Sequence, residues 1–368
     1  MKKILIVIGA LRIGGAEKIT TDFILNMDRE GLDFYFLVFG EDTGEYEEIL
    51  RYNGCKIIHI SPPAPPYLKY AAELKEVWNK YNGFDIVHTH TLLNNGINIY
   101  IFKKLGCKRL ISHSHSTSSN RSPGFVMNVY EKMMKKMIRK YATDYLACGV
   151  AAGEYLYGKE LFDNYGTVIN NGVDFEKFCF DKEARESLRQ KYDIKDMFVI
   201  GMIARLTKVK NHTFLIDVFD NVNKLYPKSR LVIIGDGDQR ETIEERIKAL
   251  NLKDKVLMPG NRNDIYLLQN MIDVTVYPSH YEGLPVALVE AQVNGIPCVL
   301  SDAITREVQI SEKVQFLSLQ KSAEEWAKAV LEYKDVSRAD NPLNEKGKNY
   351  DIKKSAEKLR EIYLNGIL

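Results

Sequence analysis

Residues Ile4-Leu5-Ile6-Val7-Ile8 form an unbroken apolar run. A strand made of them has to be covered on both faces, a condition met in a parallel sheet flanked by helices. Looser versions of the run recur at Phe34 to Phe39, Lys56 to Ile60, Asp85 to His90, Arg109 to Ile111, Tyr145 to Cys148, Phe198 to Ala204, Arg230 to Ile234, Val256 to Met258, Asp273 to Tyr277 and Pro297 to Leu300. Segments of helical spacing fall between them. Ile19, Phe23, Ile24 and Met27 share one face, as do Phe214, Leu215, Val218, Phe219 and Val222. Ala71 to Lys80, Lys182 to Lys191, Ala323 to Tyr333 and Ile352 to Leu364 also read as helices. Strands alternating with helices give an α/β architecture of doubly wound, Rossmann-like sheets. At 368 residues the chain calls for two such domains. Ligands of open parallel sheets bind at the C-terminal strand ends, so the candidate site residues are sought there.

Two strand ends in the second half carry the most chemistry. Pro278 stops the strand Asp273 to Tyr277, Gly283 and Pro285 turn the chain, and a helix is predicted from Pro285 to about Val293. Glu282 then lies at the helix mouth and Glu290 nearly two turns inside it. The amides of Gly283 and Leu284 point out of a helix end that favours negative charge. Arg205 stands just past the strand Phe198 to Ala204, and Lys210-Asn211 precede the next helix. A cationic pair between a strand end and a helix start suits a diphosphate. On spacing alone a second reading stands beside this one: two surface glutamates on a strand-turn-helix, and a common Arg-x4-Lys pair.

In the first half the loop Gly9 to Gly15 joins a strand to a helix, a corner that accommodates phosphate. Gly14-Gly15 is not followed by the spacing of a dinucleotide fingerprint, which argues against a dehydrogenase. Four of the seven histidines, His88, His90, His113 and His115, sit at two strand ends with His-x-His spacing that directs each pair to one face. No carboxylate or cysteine joins them locally, so the favoured reading is hydrogen-bonding histidines at a ligand site, with no metal. Asp236-Gly237-Asp238 reads as a turn after a buried strand rather than as a metal-diphosphate site. Ser116 to Pro123 is a polar loop suited to covering a site. Val126 to Tyr141 sets Met127, Val129, Tyr130, Met133, Met134, Met137 and Ile138 against Lys132, Lys135, Lys136, Arg139 and Lys140. Two readings of this basic amphipathic helix stand: a core helix with a solvated basic face, or a helix that docks on an anionic membrane surface.

The net charge of +2 gives no global attraction to nucleic acid. The five cysteines are scattered, odd in number and never Cys-x-x-Cys, which predicts reduced thiols and a cytoplasmic chain. No apolar run reaches the length of a membrane span, and Met1 to Ala10 is read as a first strand rather than a signal peptide.

Pro278-Ser279-x-x-Glu282-Gly283-Leu284-Pro285-x4-Glu290-Ala291, with Ala204-Arg205-Leu206 and Lys210-Asn211 upstream, resembles the signature of the family 4 retaining glycosyltransferases. Alanine at 204 departs from the family's usual glycine. Asn171-Gly172-Val173-Asp174 resembles the family's crossover between domains, and His113-Ser114-His115 resembles its capsular and exopolysaccharide branch. The resemblance implies the GT-B fold, two facing Rossmann-like domains with a cleft between them. It places the first domain at 1–174, on the acceptor side, and the nucleotide-sugar domain at 175–351, with a last helix, 352–368, packing back on the first domain.

The function so implied is transfer of a sugar from a nucleoside diphosphate, UDP first, to a glycan or lipid-linked saccharide with its anomeric configuration kept. No metal and no cofactor beyond the donor are implied. Arg205 and Lys210 would neutralise the departing diphosphate. Glu290 would hold ribose, and Glu282 with Gly283, Leu284 and Pro285 would hold the sugar. Arg262 belongs to the loop that meets the base, and Gly14 and Gly15 to the loop that meets phosphates or acceptor. His115 matches the family's histidine against the sugar, with His113 second, and His90 and Asn211 line the site. A nucleotide-sugar epimerase on the same fold and a non-catalytic binder are the alternatives. The first needs an acid-base set for elimination and would not be expected to carry Glu-x7-Glu, and the second would typically lack Lys210 or Glu282.

Overall fold

The computed structural model describes residues 1–12, 15–118 and 124–366, and the polar loop and Gly14 fall partly or wholly outside them. The chain divides into two compact units, Met1–Gly172 with Ile352–Leu368, and Val173–Asp351.

The first unit carries a parallel sheet of β1 (Lys2–Val7), β2 (Leu32–Phe39), β3 (Lys56–Ile60), β4 (Ile86–Thr89), β5 (Arg109–Ser114), β6 (Asp144–Ala147) and β7 (Gly166–Val168). The order is β3-β2-β1-β4-β5-β6-β7, so the winding direction reverses between β1 and β4. Alternate residues of β1 serve two cores. Leu5 and Val7 pack on one side of the sheet, and Ile4 and Ile6 on the other. The helix Ile352–Asn365 closes the second of these cores with Ile352, Ala356, Leu359, Ile362 and Tyr363. Lys2 fastens its end by donating to the carbonyl of Leu364 at 2.6 Å.

The second unit repeats the plan with β8 (Phe198–Ile203), β9 (Ser229–Ile234), β10 (Val256–Gly260), β11 (Val274–Tyr277), β12 (Cys298–Ser301) and β13 (Val314–Leu317). The order β10-β9-β8-β11-β12-β13 reverses between β8 and β11. Asp273, at the base of β11, accepts from both Arg185 and Arg189 of the helix Lys182–Lys191. This ties the helix to the sheet with charge-assisted bonds. Cys55, Cys107, Cys148 and Cys298 are buried, Cys179 is exposed, and all five are free thiols.

Candidate functional site

The reversal between β8 and β11 opens a crevice at the C-terminal ends of those strands, where doubly wound sheets bind ligands. Arg205 follows β8 by two residues and the segment from Pro278 to Glu282 follows β11, so two strands neighbouring in the sheet but 70 residues apart in sequence supply one corner.

Local packing fixes this corner tightly. Tyr277, the last residue of β11, donates its hydroxyl hydrogen to the carbonyl of Ile203 at the end of β8. Asn211 adopts a left-handed backbone at φ 57°, which asparagine tolerates better than most residues. Its side chain donates to the carbonyl of Pro278 at 3.1 Å, and His280 N–H donates to Val209 O at 2.9 Å. Asn211 is therefore a brace between the two loops. Lys210 is brought onto Glu282 as a direct ion pair, with the two side chains 18% and 10% exposed. Ser279 adds a hydroxyl donated to the same Glu282 oxygen at 2.9 Å. The sequence reading gives Lys210 and Glu282 separate tasks, whereas the structure couples them.

The helix runs Val286–Val293 with Pro285 as its N-cap residue, one position later than expected. Glu290 is buried on it. Burial pushes the Tyr277 hydroxyl well above its ordinary pKa, and the charges of Glu282 and Glu290 act in the same direction. Both carboxylates thus bear on one hydroxyl at the end of β11. Gln292 anchors the helix from behind, donating to Leu288 O and Val308 O and accepting from Ile310 N and Ser311 N. Arg205 is exposed and makes no ion pair among the described residues.

The turn Gly235-Asp236-Gly237 has a structural role. Ala204 N–H donates to Ile234 O and Leu206 N–H to Asp236 O, both at 3.0 Å, so the turn lies flat against the loop that carries Arg205. Asp236 caps Gly237 N–H at 2.8 Å. Arg262 is held by Asp264 through two bonds of 2.8 and 2.6 Å, which fix the plane of its guanidinium.

In the first unit Gly15 opens the helix Gly15–Leu25, and Gly14 lies outside the described residues. His88, His90, His113 and His115 form one buried group. His90 Nδ1 is 2.8 Å from His115 Nε2, His88 Nε2 is 3.2 Å from His113 Nδ1, and Tyr363 OH is 2.7 Å from His88 Nδ1. Burial holds His88, His90 and His113 well below the usual histidine pKa and lowers His115 to about 4, so all four are neutral at pH 7. The expected hydrogen bonding is incomplete, since His90 Nε2, His113 Nε2 and His115 Nδ1 are buried without a partner among the described residues.

The helix Phe125–Tyr141 buries Met134 and Ile138 and packs Tyr130 and Met137 against the core. Val129 and Met133 were expected on that face and instead lie 51% and 47% exposed, beside Phe125 and Val126. Each is one position from the buried stripe, and a step of one residue rotates a helical side chain by about 100°. Lys132, Lys136, Arg139 and Lys140 continue the exposed face.

Tyr277 and the two glycines of the turn build the site without having been singled out from the sequence as site-forming residues.

Two family models match the chain: "Glycosyl transferases group 1" over residues 184–350 and "Glycosyltransferase Family 4" over residues 13–177. EpsF of Bacillus subtilis, a protein assigned to the glycosyltransferases, is 31% identical over 89% of this chain and 87% of its own. The UDP-Gal:α-D-GlcNAc-diphosphoundecaprenol α-1,3-galactosyltransferase of Escherichia coli is 27% identical over 78% of this chain and 77% of its own. The capsular polysaccharide biosynthesis glycosyltransferase CapH of Staphylococcus aureus is 24% identical over both full lengths. Among solved structures, Anabaena HepE in complex with UDP and glucose superposes with a TM-score of 0.79 at 18% identity, over 99% of this chain and 100% of that one.

Proposed function

The chain belongs to family 4 of the glycosyltransferases, with the GT-B fold and relatives in polysaccharide biosynthesis, and from that premise we propose that it moves a sugar from UDP to a glycan or lipid-linked saccharide with anomeric configuration kept. The observation that carries this reading is the corner at the β8/β11 reversal, where an exposed arginine, a lysine-glutamate pair and a buried glutamate come from separate segments. The UDP donor is supported by the HepE complex and by the donor of the E. coli galactosyltransferase, whose acceptor is a lipid-linked saccharide.

Arg205 and Lys210 stabilise charge that grows on the diphosphate as the bond to the anomeric carbon breaks. An ammonium has three donors, so Lys210 can hold Glu282 and a phosphate oxygen together. Glu290 takes the ribose hydroxyls. Glu282 and the amides of Gly283 and Leu284 orient the sugar, and His115 is the first unit's candidate for contact with a sugar hydroxyl. Gly15 belongs to the loop assigned to phosphate or acceptor, and Arg262 to the base. No side chain is assigned as a covalent nucleophile. The acceptor oxygen bonds the anomeric carbon on the face the diphosphate leaves, and its proton passes to the departing phosphate. The backbone of the turn at Asp236 supports the Arg205 loop, and the reading assigns no metal to the diphosphate.

A thermal-shift panel of nucleotide sugars, followed by product analysis, tests the reading. A UDP-sugar is expected to raise Tm, by about 2.7 kcal/mol of stabilisation at a hundredfold excess over Kd. NMR of the product should show the donor's anomeric configuration. A panel with no stabilising nucleotide sugar, or a sugar isomerised without acceptor, rejects it.

We further propose that the chain sits at the cytoplasmic face of the membrane as a peripheral protein. No helix among the described residues is long and apolar enough to cross a membrane. The helix Phe125–Tyr141 instead presents exposed apolar residues in its first half and basic ones in its second. This combination suits an anionic surface. Each basic residue contributes about 1 kcal/mol to such binding. Lys136→Glu with Lys140→Glu is therefore expected to weaken sedimentation with phosphatidylglycerol vesicles by more than about tenfold. Equal binding to neutral vesicles, or no loss in the variant, counts against it.

A further inference from the structure

Four imidazoles from β4 and β5 and the residues just beyond them fill one buried volume of the first unit. His88 and His113 stack with ring centroids 5.3 Å apart, and His113 and His115 at 4.2 Å. His88, His90 and His113 are 0%, 7% and 0% exposed, and each offers a ring nitrogen within 4.8 Å of the others.

The group cannot satisfy itself. A neutral imidazole has one N–H and one lone pair. Across the bond between His90 Nδ1 and His115 Nε2, the donor ring is left with a lone pair on its outer nitrogen and the acceptor ring with an N–H. Neither outer nitrogen has a partner among the described residues. In either tautomer, a buried lone pair therefore faces no donor, a state that folded proteins rarely keep.

We propose that His88, His90 and His113 bind a divalent transition-metal ion of the zinc class. An all-imidazole set suits such an ion and not magnesium or calcium, which take oxygen ligands. The 3.2 Å between His88 Nε2 and His113 Nδ1 is close to the ligand-to-ligand edge of about 3.4 Å for a tetrahedral ion with bonds of about 2.1 Å. The ion replaces that hydrogen bond. Tyr363 OH, on His88 Nδ1 at 2.7 Å, is the outer partner that keeps Nε2 turned toward the ion. The nearby cation Arg109 is held by Asp144 at 2.8 Å, which reduces its opposition to a second positive charge. The ion cross-links β4, β5 and the helix Ile352–Asn365. It has no part in the diphosphate chemistry, so its failure would leave the transferase reading standing.

The full chain, stripped with a chelator and freed of it, is titrated with Zn²⁺ or Co²⁺ alone. One equivalent per chain, a nitrogen-type tetrahedral Co²⁺ spectrum and a raised Tm are expected. His90→Gln and His113→Gln should each weaken binding by about a hundredfold or more, and Tyr363→Phe, which keeps the ring packing, by about ten- to a hundredfold. His280→Gln, at an exposed histidine outside the group, should bind as the parent does. Absence of stoichiometric uptake, or uptake untouched by all three substitutions in the group, overturns the site. If the glutamine variants do not fold, X-ray absorption at the zinc edge of the parent decides: three or more imidazole ligands support the site and fewer overturn it.

Discussion

Arg205→Ala is expected to lower kcat for sugar transfer by about a hundredfold or more while Tm stays close to that of the parent. Removing one preorganised donor to charge that develops in the transition state costs about 2.7–4 kcal/mol of activation free energy. Arg205 is exposed and makes no ion pair among the described residues, so its loss withdraws little from the folded state. Lys210→Ala should match it in lost transfer but differ in stability. Glu282 is 10% exposed and would keep, among the described residues, only the Ser279 hydroxyl. Breaking a buried pair from one side costs about 3–5 kcal/mol, because the remaining charge is left uncompensated. The partial exposure of both side chains puts this case at the low end of that range. Adding Glu282→Gln to Lys210→Ala should then recover part of the stability and none of the transfer, a coupling that a double-mutant cycle reads directly. Initial rates with saturating donor, set beside denaturant midpoints, separate the two effects. Near-normal turnover in both Arg205→Ala and Lys210→Ala would remove the assignment of the diphosphate to this corner.

The contrast between those two cations shows where the sequence stopped being informative. The apolar run at Ile4 required a sheet covered on both faces, and alternate residues of β1 do serve two separate cores. The helix Lys182–Lys191 was legible to the residue as a charged segment, and Asp181 caps it in the structure. Short strands at the sheet edges were missed. β7 (Gly166–Val168) is three residues long, and β13 (Val314–Leu317) is only half-buried, so neither produces a buried apolar run. The helix Asn95–Lys104 was missed for a different reason. Its buried residues include Asn95, Gly96 and Asn98, polar or small groups satisfied by tertiary bonds such as Asn95 to Ser112 at 2.9 Å. Within the site, residue types pointed to charge but not to pairing. The ion pair between Lys210 and Glu282 depends on the neighbouring placement of β8 and β11, whose order in the sheet no local pattern encodes.

Gly235→Ala should have the largest effect of any single methyl group in the second unit, on both stability and transfer. The backbone there lies at φ 140°, a region L side chains rarely adopt, and an added Cβ would stand 2.1 Å from the carbonyl oxygen of Ala204. Neither obstacle is a flexible side chain, so the backbone itself has to move. Strain of this kind costs about 1–3 kcal/mol, and displacing a packed neighbour about as much again. The segment that must shift is Ala204-Arg205-Leu206, which is bonded to the turn through Ile234 O and Asp236 O. Arg205 would move with it, and a displacement of about 1 Å at a positioned catalytic group is enough to cost roughly a hundredfold in rate. Gly237→Ala should act alike, since its Cβ would meet Leu206 O at 2.4 Å. Gly260→Ala supplies the control: φ is again positive, at 78°, but nothing lies within 4 Å of the added carbon. It should cost about 1 kcal/mol in stability and leave kcat nearly intact. If Gly235→Ala lowers Tm yet transfers as fast as Gly260→Ala, the glycine turn supports only the fold, and the position of Arg205 must be set by something else.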